Sequence, residues 1–479
     1  MATLPRPSPA IDMKSYKLFL VSLCVLVLMA LGLLVHLFAP GYSGAIYYVA
    51  AGAITLISFA FVLRPFAGLS LVLVYLLSPI PFIMDVNYSA AITVLLIGNC
   101  FAASVLDSGF KVRFERGSLR IPLLLGSVAA VSVVYGVATG NRASVALGDF
   151  YQVVEFALLF LLAKMLVKTE QQFRTLVYVI VAVIMINSVL EMANALMGAR
   201  HLPHLNQRGI DVARPININA PIAFVTLLAT LAFAKSKKWV IAGIAILSAN
   251  LIWSFTRGLW LASLASAIFL LMIQRGKARR MVLKLAFVSV LVSIPILYFS
   301  GLGSAIADRI GYSVVQFDSA SAEDQVQSGR RVLEYILILP HIAEHPIMGK
   351  GLGATFEIAG DAVLEGPKGE QVDHHYVHDL YLMIAFRLGL PALLIFLVVL
   401  WKYFRRSIKN LRNLDLSAYN AALLAGLISA VFGEAVLSLT SPTFLNHPTA
   451  GVLGCIMAIT TTALHPDSQS TPRQYLAQK

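Results

Sequence analysis

A histidine-rich segment just ahead of an apolar run contains side chains that could transfer protons. It reads His374-His375-Tyr376-Val377-His378-Asp379. An imidazole titrates near neutrality and can take a proton from a sugar hydroxyl as that hydroxyl attacks. The segment therefore predicts a general base. Two alternatives are a histidine that only packs or hydrogen-bonds at a membrane boundary, and a metal site formed by the three histidines.

Arginines placed between apolar runs suggest anion binding. Arg257 lies in Ser254-Phe255-Thr256-Arg257-Gly258, and Arg208 and Arg214 lie in the loop 197–217. A guanidinium stays charged at physiological pH and presents a planar fork of donors that matches phosphate oxygens. The arginines predict a site for a diphosphate-bearing substrate. The alternative for any one of them is an arginine that reaches to lipid headgroups.

Two other local patterns carry less weight. His341-Ile342-Ala343-Glu344-His345 fits the H-x-x-E-H pattern of inverted zinc metallopeptidases, but Pro340 and Pro346 flank it. Three fixed positions in five residues are easily matched by chance, so we do not favour a zinc enzyme. The glycine-rich segment Gly349-Lys350-Gly351-Leu352-Gly353 lacks the spacing of a nucleotide-binding loop and predicts a turn.

The composition indicates what must position these residues. Hydrophobic residues make up 58% of the 479 positions and charged residues only 13%, which is typical of a membrane protein. A membrane-spanning helix needs about 20 apolar residues, and the chain offers about 14 such segments. We predict an all-α, polytopic integral membrane protein with one long periplasmic loop. The predicted spans are 18–38, 45–63, 66–83, 89–106, 120–138, 149–167, 173–196, 218–234, 239–253, 258–274, 281–299, 378–400, 418–438 and 447–464.

The distribution of basic residues predicts the orientation, because Lys and Arg favour cytoplasmic loops. Five alternate loops are basic and contain Lys111/Arg113/Arg116, Lys164/Lys168/Arg174, Lys235/Lys237/Lys238, Arg275/Lys277/Arg279/Arg280 and Lys402/Arg405/Arg406/Lys409/Arg412. This pattern predicts cytoplasmic N- and C-termini and an active site on the outer side of an inner membrane. It also accounts for the net charge of +13 without a nucleic-acid partner.

The predicted spans and the long loop between them divide the chain into three regions. Residues 1–299 form a predicted N-terminal transmembrane bundle of about 11 helices. Residues 300–377 form the periplasmic loop, with short helices that lie on the membrane. Residues 378–479 supply about three further helices and a cytoplasmic tail.

Several motifs occur in a fixed order over about residues 205–400. They are Ser254-Phe255-Thr256-Arg257-Gly258, Gly329-Arg330-Arg331, His345-Pro346-Ile347-Met348-Gly349-Lys350-Gly351-Leu352-Gly353, His378-Asp379-Leu380-Tyr381-Leu382 and Gly389-Leu390-Pro391. With the many spans and the long loop, this order resembles the bacterial O-antigen ligase and polysaccharide polymerase superfamily. The N-terminal half is similar to the family only as a set of hydrophobic helices.

The resemblance implies a metal-independent, inverting glycosyltransferase that needs no cofactor. Its donor would be an undecaprenyl diphosphate-linked glycan, and its acceptor a hydroxyl on a glycan or on lipid A-core, both presented at the periplasmic face. Membrane lipids and a chain-length regulator protein are further expected partners. Polymerase and ligase share donor and scaffold, and the length of the chain and its extra predicted spans favour the polymerase slightly.

The resemblance also assigns roles to individual residues. Arg257 would bind the donor diphosphate, assisted by Arg214 or, next in preference, Arg208. His378 would be the base, with His375 close enough to be the alternative. Where the family has a His-Asn pair, this chain has His378-Asp379. The remaining candidates, for substrate binding or for loop structure, are Arg330, Arg331, Asp379 and Tyr381.

A transporter or flippase-like carrier of a lipid-linked or anionic substrate is the alternative from another functional class. Carriers place functional polar residues near the middle of the membrane. In this chain the carboxylates within predicted spans are Glu155, Glu191 and Glu434. Because most other unusual polar residues gather at one predicted face, the sequence favours chemistry at the membrane surface.

Overall fold

The chain folds into a bundle of apolar helices. The computed structural model describes residues 65–78, 86–107, 120–201, 217–254, 256–285, 334–357, 373–374, 377–413 and 416–462. Helices satisfy every backbone polar group internally, which a hydrocarbon environment requires. In order, the helices are α1 (Pro65–Leu77), α2 (Val86–Asp107), α3 (Arg120–Ala138), α4 (Ala143–Leu166), α5 (Glu170–His201), α6 (Ala220–Thr230), α7 (Lys237–Trp253), α8 (Arg257–Ile273), α9 (Leu380–Leu388), α10 (Leu390–Asn413), α11 (Ala418–Leu437) and α12 (Thr449–Thr460).

Shorter elements complete the described part of the chain. Residues 276–285 are helical, and residues 334–344 form a second helical segment, named here the loop helix. A 3₁₀ turn spans Thr443–Leu445. The predicted all-α fold has one small exception, an antiparallel pair of two-residue strands, β1 (Phe356–Glu357) and β2 (Asp373–His374).

The helices show that this is a membrane protein. Four of them, α3, α4, most of α5 and α11, are long and apolar enough to cross a membrane by length and composition. The predicted break in the apolar run 239–274 is confirmed, since α7 ends at Trp253 and α8 begins at Arg257. The predicted spans 18–38 and 45–63 lie outside the described residues. The total of about 14 spans therefore stays a prediction, as do the three regions and the sidedness.

The predicted single span 378–400 is wrong, because two helices occupy it. Helix α9 ends at Leu388 and α10 starts at Leu390, separated by Gly389 with φ of 87°. A Cβ atom at Gly389 would overlap the Ile347 carbonyl oxygen. The turn that follows the loop helix therefore passes directly against this position, and only glycine suits both the space and the left-handed backbone.

Small residues let the central helices approach closely. Gly433 of α11 faces Ser266 of α8, and Gly454 of α12 lies directly against the backbone of Phe156 in α4. Helices in lipid gain little from apolar burial alone, so close van der Waals contact at small residues is a main source of their association. The contact of Gly433 with Ser266 holds α11 against α8, and the C-terminal end of α11 carries the candidate site.

The loop helix has one buried face and one exposed face, and both carry apolar side chains. Ile338 and Ile342 lie against the bundle, whereas Ile336 and Leu339 on the other side are 60% and 53% exposed. The helix runs through Pro340 without ending there. An exposed apolar face suits the predicted position on the membrane surface, which remains a prediction.

Candidate functional site

Two helices that carry candidate residues begin at the same place, the C-terminal end of α11. The backbone N–H of Leu380, at the start of α9, donates to the Ser438 carbonyl oxygen at 2.9 Å. At the start of α8, Gly258 lies so close to Thr440 that a Cβ atom would overlap its Oγ1. The structure therefore brings the helix start with Arg257 and the helix start with His378 to neighbouring positions on one turn.

His378 has a carboxylate partner that the sequence did not indicate. Its Nδ1 lies 2.6 Å from Glu334 Oε1, and its backbone N–H donates to Glu334 Oε2 at 3.2 Å. An ionised carboxylate only accepts hydrogen bonds, so Nδ1 carries the hydrogen and donates it. The other ring nitrogen, Nε2, is then the lone-pair nitrogen. This is the tautomer that a general base needs at Nε2.

The two side chains of the pair differ in exposure to solvent. The Glu334 side chain is only 8% exposed, whereas the His378 side chain is 45% exposed. A carboxylate held away from water fixes the ring orientation and stabilises the imidazolium that forms on proton transfer. The ring itself stays accessible to a substrate.

Asp379 and Tyr381 fix the start of α9. The Asp379 carboxylate is the N-cap and accepts from the backbone N–H groups of Tyr381 and Leu382 at 2.8 and 3.0 Å. The Tyr381 hydroxyl donates to the Ala435 carbonyl oxygen of α11 at 2.6 Å. Both side chains therefore have positioning contacts within the protein, and a direct part in substrate binding stays a prediction.

The loop helix holds this region with two consecutive residues. Glu334 binds His378, and the Tyr335 hydroxyl donates to Asp379 Oδ2 at 2.6 Å. The sequence analysis did not single out either residue. One signal could have indicated Glu334: it is an acidic residue that follows an arginine pair and stands just ahead of the apolar stretch Ile336–Leu339.

Arg257 is the first residue of α8 and is partly buried. Two hydrogen bonds stabilise the chain on either side of it. Trp260 Nε1 donates to the Leu251 carbonyl oxygen at 2.6 Å, and the Thr256 N–H donates to Ser254 Oγ at 3.2 Å. The first turn of a helix offers backbone N–H groups to an anion, and the guanidinium adds a full positive charge.

The glycine-rich segment forms the predicted turn and anchors α9 to the bundle. Its Lys350 N–H donates to the Phe386 carbonyl oxygen at 2.8 Å. Gly353 N–H donates to Asp149 Oδ2 at 2.9 Å, and the same oxygen lies 2.8 Å from Arg387 Nη1 in a buried ion pair. The turn therefore links α9 to α4 and stabilises the position of the helix that His378 precedes.

Five other candidate residues cannot be placed because they lie outside the described residues. They are His375, Arg208, Arg214, Arg330 and Arg331. Their assignments stay predictions.

The H-x-x-E-H match also has a described geometry. His341 Nδ1 lies 3.3 Å from Glu344 Oε2, and His345 follows the end of the loop helix. In the described part of the chain, no three His, Cys, Asp or Glu side chains are grouped so that they could hold a metal ion.

The three carboxylates that a carrier might use lie in different surroundings. Glu155 is fully buried and pairs with His447 Nδ1 at 2.8 Å, and His447 Nε2 lies 2.7 Å from Ser89 Oγ. Glu434 is also fully buried, near the end of α11, whereas Glu191 is partly exposed. Glu155 is therefore paired with a side chain inside the protein, His447.

A comparison with known protein families tests the resemblance that the sequence motifs indicate. Residues 242–397 match the family model described as O-antigen ligase. This match, which covers 156 of the 479 residues, supports the resemblance to the O-antigen ligase and polymerase superfamily. The matched segment includes Arg257, Glu334 and His378, and it supports a role in surface polysaccharide synthesis. A search of curated proteins found no match to the chain.

Proposed function

We propose that the chain is a glycosyltransferase that moves a glycan from undecaprenyl diphosphate to an acceptor hydroxyl at the periplasmic face of the bacterial inner membrane. One observation carries the proposal. Within the matched segment, the helix start with Arg257 and the His378–Glu334 pair converge on the C-terminal turn of α11. A cation for a diphosphate and an oriented base are the two groups that such a transfer needs.

The proposed reaction is a single displacement at the anomeric carbon. His378 Nε2 takes the proton of the acceptor hydroxyl while the oxygen forms a bond to that carbon. The bond from the same carbon to the diphosphate oxygen breaks, and undecaprenyl diphosphate leaves with the bonding electron pair. Attack from the face opposite the leaving group inverts the configuration. Glu334 stabilises the imidazolium produced, through the 2.6 Å contact at Nδ1.

Arg257 would act on the leaving group. Diphosphate is a good leaving group, and its developing charge is stabilised by a fixed guanidinium that need not reorganise during the reaction. Arg214 or Arg208 would add a second cation, as the sequence predicts. The acceptor, either the growing glycan or lipid A-core, separates the polymerase from the ligase.

The test is glycan analysis in a deletion strain that is complemented with wild type, His378→Ala or the control His341→Ala. His341 lies on the loop helix and has its own carboxylate partner, Glu344. We expect His378→Ala to abolish transfer at normal expression, while His341→Ala restores the surface glycan.

The accumulated intermediate distinguishes the two activities. Single repeat units left on the lipid carrier indicate a polymerase. Long chains on the carrier that are absent from core lipid indicate a ligase. Normal glycans with His378→Ala would refute the assigned base. The carrier would be favoured if Glu155, Glu191 and Glu434 proved essential while His378 did not.

A further inference from the structure

A groove at the other end of the bundle is lined by both apolar and basic residues. It lies between α3, α4, α10 and α12 and encloses about 520 Å³. Its apolar wall includes Leu124, Phe160, Leu394, Val398 and Met457. Leu394 and Val398 are 64% and 39% exposed, so the groove is open along α10.

Four cations line the same groove. They are Arg120, Lys164, Lys402 and Arg406. No acidic residue is among the described residues that line it. Lys164 is only 5% exposed, whereas the side chains of Arg120, Lys402 and Arg406 are exposed.

The cations lie far from the candidate active site. Arg120 begins α3, whereas Gly136, near the other end of that helix, packs against Gly351 of the glycine-rich turn. At 1.5 Å per residue, Arg120 and Gly136 are about 24 Å apart along the helix axis. The groove is therefore separate from the site at His378.

We propose that this groove binds an anionic phospholipid. The phosphate headgroup lies among the four cations, and an acyl chain follows the apolar wall of α10. Charge complementarity with the lining cations favours an anion, and the open apolar wall favours an anion that carries a hydrocarbon chain. Basic pockets between transmembrane helices are suited to anionic lipid headgroups. With the predicted orientation, the lipid belongs to the cytoplasmic leaflet.

The test measures lipid binding to the purified full-length protein in a neutral detergent by native mass spectrometry. Phosphatidylglycerol is titrated, and phosphatidylcholine and glycerol 3-phosphate serve as comparison ligands. The variant Lys402→Gln/Arg406→Gln removes two cations of the groove. The matched control, Arg405→Gln/Lys409→Gln, removes two exposed cations of the same helix that do not line it.

A cation near an anionic headgroup changes affinity about fivefold, so the groove variant should bind phosphatidylglycerol about thirtyfold more weakly. The control should bind like wild type, and phosphatidylcholine should bind weakly to all three proteins. Equal weakening in both variants would overturn the proposal. So would glycerol 3-phosphate binding as tightly as the lipid, or no retention of phosphatidylglycerol by wild type, which would mean that another segment of the chain fills the groove.

Discussion

Replacing Glu334 with glutamine tests how the candidate base is oriented. Glutamine keeps the shape of the side chain but removes its charge. Its amide oxygen can still accept from the His378 backbone N–H, which leaves the amide NH₂ facing Nδ1. The amide then donates where the carboxylate accepted, so Nδ1 becomes the acceptor and Nε2 carries the hydrogen. A ring in that tautomer cannot take the acceptor proton at Nε2.

The size of the effect follows from the geometry. The contact is 2.6 Å long and involves a carboxylate that is only 8% exposed. Hydrogen bonds to charged groups contribute about 1.5–3 kcal/mol, which corresponds to a rate factor of about 10 to 150. Because the His378 side chain is 45% exposed, water replaces part of the interaction, and we expect a loss of about 10- to 100-fold. Loss of the base itself in His378→Ala should cost about 100- to 10,000-fold.

The assay is the initial rate of glycan transfer in membranes, with the lipid-linked donor extracted from the deletion strain that accumulates it. Glu344→Gln is the matched control, since Glu344 lies on the same loop helix, is 62% exposed and contacts a different histidine. A wild-type rate for Glu334→Gln would refute the argument. An equal loss in both variants would point to a general effect on the loop helix instead.

Three further predictions concern the frame of the site and the donor. Asp149→Asn leaves Arg387 charged in a buried position, so we expect a loss of about 3–5 kcal/mol in stability, seen as a lower melting temperature in detergent. Gly389→Ala forces a side chain against the Ile347 carbonyl oxygen and should lower both melting temperature and transfer rate. Arg257→Ala should weaken donor binding in a binding assay, and Arg257→Lys should restore it only partly because the fork of donors is lost.

Each of these predictions has a control or a contrary outcome. Gly140→Ala is the control for Gly389, because Gly140 also has a positive φ of 102° but no atom within 4 Å of a Cβ. If both glycine variants lose the same stability, backbone strain and not the close contact is responsible. An unchanged melting temperature in Asp149→Asn would show that the ion pair is dispensable. Unchanged donor affinity in Arg257→Ala would remove the diphosphate role from that residue.

Apolar composition determined the membrane class and most helix positions from the sequence alone. The run from 239 to 274 was divided correctly at Ser254–Arg257, since polar and basic residues in a short break cannot stay in hydrocarbon. The resemblance to the family was found from motif order, because motifs such as Thr256-Arg257-Gly258 and His378-Asp379-Leu380 mark helix starts that depend on local chemistry. The residues Arg257 and His378 followed from the same reasoning.

Only the tertiary structure decided which groups hold those residues. The break at Gly389 depends on the approach of the Ile347 backbone, which the local sequence does not encode. Glu334 reaches His378 across 44 positions of chain, and nothing in the residues between them indicates the pair. Such long-range contacts arise from how the helices pack, whereas hydrophobic periodicity and helix starts depend on neighbouring residues. For this reason the sequence predicted the base, and the structure supplied the carboxylate that orients it.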